Sequence, residues 1–107
     1  METIQKHDRV NQLLGHYKPL LTPKQQRILE YYFEEDYSLA ETAEILNISR
    51  NAVHDHIKKA LEKMEDFDAV LQLTTLSLER SALIEALEKT DLTDAQKALL
   101  NQLKKVI

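Results

Sequence analysis

"SLAETAEILNISRNAVHDHIKK", Ser38 to Lys59, is the stretch from which the architecture of this chain is read. Ser38 followed three residues later by Glu41 is a capping box, so a helix begins there. Leu39, Thr42, Ala43 and Leu46 recur at helical spacing and give that helix an inner face. Asn47 ends it, because asparagine tolerates the left-handed backbone that a tight turn requires. Ser49 is placed to cap a second helix, which carries Val53, Ile57, Ala60, Leu61 and Met64 inward. The small Ala43 stands where the two helices must touch, and Ile48, Val53 and Ile57 are placed to lock the second against the first. The pattern is a helix-turn-helix over about residues 38–64.

Upstream, Ile4, Val10, Leu13 and Leu14 predict a first helix over residues 3–16, ended by Gly15 and Pro19. Thr22, Pro23 and Gln25 form a second capping box with proline in the first turn. The helix they open runs to about Tyr32 or Phe33, with Ile28, Leu29, Tyr32 and Phe33 on its apolar face. Glu34, Glu35 and Asp36 oppose the helix macrodipole and end it. Downstream, Ile57, Met64, Leu71 and Leu78 fall seven apart, as do Ala60, Phe67 and Thr74. This seam allows one long helix from 50 to about 89, carried on by Leu83, Ile84 and Leu87, or a break near Thr74–Thr75. Thr93 to Gln96 opens a last helix with Leu99, Leu100, Leu103 and Ile107 inward. The expectation is a single all-α domain over 1–107, with residues 65–107 serving as packing or dimerisation helices.

Composition agrees. Of 107 residues one is Gly and two are Pro, all in the first quarter, so the turns that strands need are missing after Pro23. There is no Cys, hence no disulfide framework and no thiolate metal site. The start METIQKHDRV has charges and no apolar run, and no stretch approaches the roughly 20 apolar residues of a membrane span. A cytoplasmic protein without membrane insertion is expected. Net charge is −4, unevenly spread. Residues 24–48 carry two basic and six acidic groups, and residues 65–107 five and eight; residues 49–64 carry four basic and two acidic. The basic helix is the second one of the opening stretch.

That asymmetry frames the function. In a helix-turn-helix the start of the second helix enters the major groove. Here its outward residues are Arg50, Asn51, His54, Asp55 and Lys58, with Ser49, Lys58, Lys59 and Lys63 placed for phosphates. The other reading is a helical hairpin used for packing, with these cations solvated. DNA or RNA is the candidate ligand of the first. A second candidate surface is Tyr31, Glu34, Glu35, Asp36 and Tyr37, where two tyrosines flank an acidic turn that can dock a basic partner. His54 and His56 point to different helix faces, so they do not share a metal. No phosphate loop, nucleophile elbow or catalytic pairing is present; no enzyme, metal or cofactor is expected. Val70, Leu71, Leu73, Leu76 and Leu78 put apolar residues on more than one side of a helix, which points to a homodimer.

The segment 38–64, "SLAETAEILNISRNAVHDHIKKALEKM", resembles region four of bacterial sigma factors, in which Arg50, Asn51 and Asp55 match base-contacting positions. One position departs: His56 stands where that pattern has an apolar residue, with Ile57 one step later, which implies a rotated second helix. Over Leu20 to Phe67, "LLTPKQQRILEYYFEEDYSLAETAEILNISRNAVHDHIKKALEKMEDF", the chain is similar to the YlxM-like family of small helix-turn-helix proteins, and "YYFEEDYSLAE" is the most specific block. That resemblance implies an all-α protein with a regulatory role in the signal recognition particle pathway and a component of that particle as partner. Sequence-specific transcriptional regulation and a pure protein-interaction module are the alternative functions.

Overall fold

The computed structural model describes the backbone of residues 2–106 and the side chains of residues 7–106. Six α-helices account for the order of elements: α1 Glu2–Tyr17, α2 Pro23–Leu29, α3 Leu39–Leu46, α4 Arg50–Leu71, α5 Leu73–Glu88 and α6 Asp94–Lys105. No strand occurs among the described residues. The chain divides into two compact units, Met1–Leu71 and Gln72–Ile107.

The first unit is built on α4, against which α1, α2 and α3 all pack. Val10, Leu13, Leu14 and Tyr17 of α1 meet Ile28 and Leu29 of α2, Thr42 and Ala43 of α3, and Val53, Ile57, Ala60 and Met64 of α4 in one buried core. The α4 stripe has spacings of four, three and four, a narrow helical seam. Thr42 is fully buried, and its hydroxyl donates to the Ser38 carbonyl at 2.9 Å, so no polar group is stranded there.

Three helix starts close as the sequence implies. At Thr22, Ser38 and Thr93 the hydroxyl accepts from the backbone N–H three residues on, and the side chain there accepts from the cap's own N–H.

Three expectations are corrected. Gly15 does not end α1, which runs two residues further and brings Tyr17 into the core with no exposed surface. The second helix keeps α geometry only to Leu29; Glu30–Glu34 widens into a π-turn in which the Glu35 N–H reaches the Glu30 carbonyl at 2.9 Å. That extra residue per turn swings Tyr32 and Phe33 to half-buried positions instead of the core. The seam beyond residue 50 is not one helix to 89; it breaks near Thr74–Thr75, as the second expectation had it, at Gln72, whose φ of 57° separates α4 from α5. Leu71 and Leu78, beside that break, are exposed.

In the second unit, α5 and α6 form a helical hairpin joined by residues 89–93, with Lys104 paired to Glu88 at 2.8 Å and Arg80 donating to the Val106 carbonyl. Of the apolar residues expected inward on α6, Leu100 is buried while Leu99 and Leu103 are exposed. The side chains of Ile4 and Ile107 lie outside the described residues.

Candidate nucleic-acid interface

The turn between α3 and α4 rests on Asn47, whose backbone stands at φ 55°, ψ 47°. This left-handed residue lets the Ile48 N–H reach the Ala43 carbonyl at 3.0 Å and the Asn47 N–H reach Glu44 at 3.3 Å. Two carbonyls that a helix end would otherwise leave open are thereby closed. Two residues later the Ser49 hydroxyl accepts from the Ala52 N–H at 3.0 Å and starts α4. Only three residues separate the helices, so their angle is set by the chain itself. The small Ala43 is buried beneath it.

This turn presents one side of α4 outward. Ser49, Arg50, Asn51, His54, Asp55, Lys58 and Lys59 are exposed, and Lys63 is half-buried. The stripe Val53, Ile57, Ala60 and Met64 faces the opposite way, into the core. His56 is half-buried at the edge of that stripe and Ile57 occupies the interior, so the register shift implied at His56 is absorbed without turning Arg50 or Lys58 inward. A shallow concavity lined by Leu39, Ser49, Arg50, Asn51 and His54 joins the start of α3 to the start of α4.

The cations are not equivalent. Lys59 pairs with Asp55 at 3.3 Å on adjacent turns, and the Lys63 ammonium stands 6.0 Å from the Phe67 ring centre. Arg50 and Lys58 form no ion pair among the described residues.

The second candidate surface is also formed. The Tyr31 and Tyr37 rings stack at 5.5 Å and 11°, and the Tyr37 N–H donates to the Tyr31 carbonyl at 2.9 Å. Between them Glu34, Glu35 and Asp36 are exposed, with Asp36 left-handed at φ 55°. Lys18 takes up part of this charge, bonding Glu30 at 2.9 Å and Glu34 at 3.4 Å. The hydrogen bond to Glu30 is the main reason the Lys18 ammonium is held above its ordinary pKa.

A polar cluster behind the interface carries no signal in the sequence. Asp68, buried on α4, accepts from the Tyr17 hydroxyl at 2.6 Å and from Arg9 at 2.9 Å, while Arg9 also grips Glu65 at 2.7 Å. The Arg9 guanidinium is raised above its usual pKa chiefly by the bond to Glu65, against the opposing cost of burial, with a lesser contribution from the bond to Asp68. These bonds tie α1 to the far half of α4 and brace the helix whose other end is presented.

Among the described residues no group of three or more His, Cys, Asp or Glu side chains is placed to hold a metal ion, and no helix is long and apolar enough to cross a membrane.

Fold and turn together define a small helix-turn-helix protein. The chain belongs to the UPF0122 family, whose model, described as "Putative helix-turn-helix protein, YlxM / p13 like", matches residues 4–106. It is 44% identical over 91 residues to the UPF0122 protein YofM of Lactococcus lactis subsp. lactis, covering 85% of this chain and 82% of that one. A UPF0122 protein of Exiguobacterium sp. is 37% identical over 102 residues, 94% of this chain and 95% of its own. One from Streptococcus mutans serotype c is 41% identical over 86 residues, covering 80% and 78%.

Proposed function

We propose that this chain is a small cytoplasmic regulatory protein of the signal recognition particle pathway, acting by binding a nucleic acid or a protein–RNA particle through the Arg50–Lys63 face of α4. One observation supports this above the rest: α4 is anchored by Val53, Ile57 and Ala60 while Ser49, Arg50, Asn51, His54 and Lys58 stand together in solvent. The pathway is what resemblance to the YlxM-like family implies. Sequence-specific reading of duplex DNA, as by region four of sigma factors, is the second reading. It is favoured by the exposure of Arg50 and Asn51 at the very start of the helix, where guanine and adenine edges are read. A protein-docking role without nucleic acid is favoured by the stacked Tyr31–Tyr37 pair beside its acidic turn.

Salt separates them. With three α4 cations outside any ion pair among the described residues, Arg50, Lys58 and Lys63, the slope of log K against log salt for one chain is about −2 to −3. Titration of fluorescent RNA hairpins and of duplex DNA with the purified protein should give that slope, and Arg50→Ala with Lys58→Ala should abolish binding. Binding that survives the double variant, and is lost when Glu34, Glu35 and Asp36 become Lys, would establish protein docking instead.

A further inference from the structure

The second unit, Gln72–Ile107, has too small an interior for its own surface. Thr74, Ile84 and Leu100 are its buried side chains, and chains below about 40 residues need a staple or a partner to hold a fold. On α5, Leu76, Leu83 and Leu87 are exposed at spacings of seven and four, with Arg80 between them. On α6, Leu99 and Leu103 are exposed four apart, and Val106, in extended backbone just past the helix, is exposed too. The hairpin runs these rows alongside each other: Leu87, Leu99 and Leu103 line one groove, and Arg80 reaches the Val106 carbonyl at the other end. The result is a single apolar face on the order of 500 Å², the upper range of what a monomer leaves bare.

We infer that this face is the interface of a homodimer, in which α5 and α6 of two copies pair as a four-helix bundle. Three features point to a second copy over another protein. The face belongs to a unit that needs cover whenever the chain is folded, so its occupant must always be at hand. Seams with alternating three- and four-residue spacing are those that pack helices nearly parallel in bundles. The helices are also oppositely charged. In α5, Glu79, Glu85 and Glu88 outweigh Arg80, net −2, whereas in α6 Lys97, Lys104 and Lys105 outweigh Asp94, net +2. Glu88 and Lys104 already pair inside the hairpin, which leaves α5 a surplus of −1 and α6 of +1, and a two-fold axis that sets α5 of one protomer on α6 of its partner satisfies this remaining complementarity twice. This inference stands apart from what α4 binds.

The test is the mass of the full chain in solution. Sedimentation at low micromolar concentration is expected to give about 25 kDa, twice the 12.4 kDa of one chain. Leu83 and Leu99 are 68% and 65% exposed, so Leu83→Asp with Leu99→Asp should return the mass to that of one chain with the helical circular dichroism intact. Leu78, 58% exposed on the opposite side of α5, is the control: Leu78→Asp should leave the dimer unchanged. A wild-type protein that stays monomeric, a double variant that stays dimeric, or a Leu78→Asp variant that dissociates equally would each overturn the proposal. Should the double variant lose its helical signal, the wild-type melting temperature decides. It must rise with protein concentration, and a constant value would overturn the dimer.

Discussion

Asn47 offers the sharpest probe of whether the α3–α4 turn governs how α4 is displayed. Its side chain is exposed and makes no hydrogen bond to the described residues, so replacing it changes the backbone preference and little else. The native φ of 55° lies where an L-residue pays about 1–2 kcal/mol and asparagine somewhat less. Asn47→Gly is therefore expected to be neutral or stabilising by up to about 1 kcal/mol. Asn47→Ala should cost about 1 kcal/mol, and Asn47→Ile about 2 because a β-branched residue is least at ease there. At roughly 4–8 °C per kcal/mol for a unit of this size, the isoleucine variant should melt about 8–15 °C lower. The assay is thermal unfolding followed by circular dichroism, with nucleic-acid titration of each variant below its transition. The order Gly, Asn, Ala, Ile is required. An isoleucine variant that melts within the scatter of ordinary surface substitutions would show that the left-handed turn does not hold this motif, and the case for a presented α4 would fall with it.

Other parts of the molecule give independent tests. Gly15 lies exposed within α1 with open space where a Cβ would point, so Gly15→Ala should stabilise by about 0.5–1 kcal/mol, raising the denaturation midpoint. Tyr17→Phe removes the hydroxyl that Asp68 accepts from at 2.6 Å and should cost about 1–3 kcal/mol in denaturant unfolding, more than its lost atom would suggest, because the carboxylate it leaves is buried. The Glu41 carboxylate accepts from the Ser38 N–H at 3.0 Å, and that bond holds it below its ordinary value of 4.5. Its contribution is therefore complete above pH 4.5 and fades as pH falls through the lowered folded value; Glu41→Gln should flatten the stability profile in that acid range, measured by urea denaturation.

What the residues announced, and what they hid, divides along a physical line. Ser38 with Glu41, Thr22 with Gln25 and Thr93 with Gln96 are local hydrogen-bond pairs, so three residues suffice to read them. Asn47 was legible for the same reason, since its side chain lowers the cost of the backbone it adopts. Gln72 adopts nearly the same backbone at φ 57° without any such propensity, which is why the end of α4 could not be placed from neighbours alone. The π-turn at Glu30–Glu34 was hidden likewise, since no residue in it favours a wide turn. Gly15 misled in the other direction: burial of Tyr17 outweighs the modest helix cost of one glycine. The Arg9–Asp68 bond joins residues 59 apart, beyond the reach of any periodicity. On α4 the outward set was readable from spacing, and the same spacing puts Asp55 four residues before Lys59, the pair that removes one cation from the usable charge.

That count bears on the kind of polyanion α4 can hold. Three cations outside any ion pair among the described residues, Arg50, Lys58 and the half-buried Lys63, stand on α4 within a chain whose 24–48 segment carries six acidic groups against two basic. Duplex DNA presents a charge about every 1.7 Å along a stiff rod. A rod laid on α4 also brings phosphates toward Glu41 and Glu44, which are exposed on the adjoining α3. Screening over about 8 Å softens that repulsion without removing it. A folded RNA or an RNA–protein particle can offer a few phosphates at one point and keep the rest away, so it gains the attraction of α4 with less of the penalty. A dimer doubles the attractive sites and the acidic flanks alike, raising avidity for any ligand that reaches both copies while leaving this preference in place. Competition decides between the two: a short RNA hairpin should displace a duplex DNA of equal charge, and raising salt should narrow its advantage. A duplex that wins at low salt, where repulsion from Glu41 and Glu44 is strongest, would return the protein to the class of promoter readers.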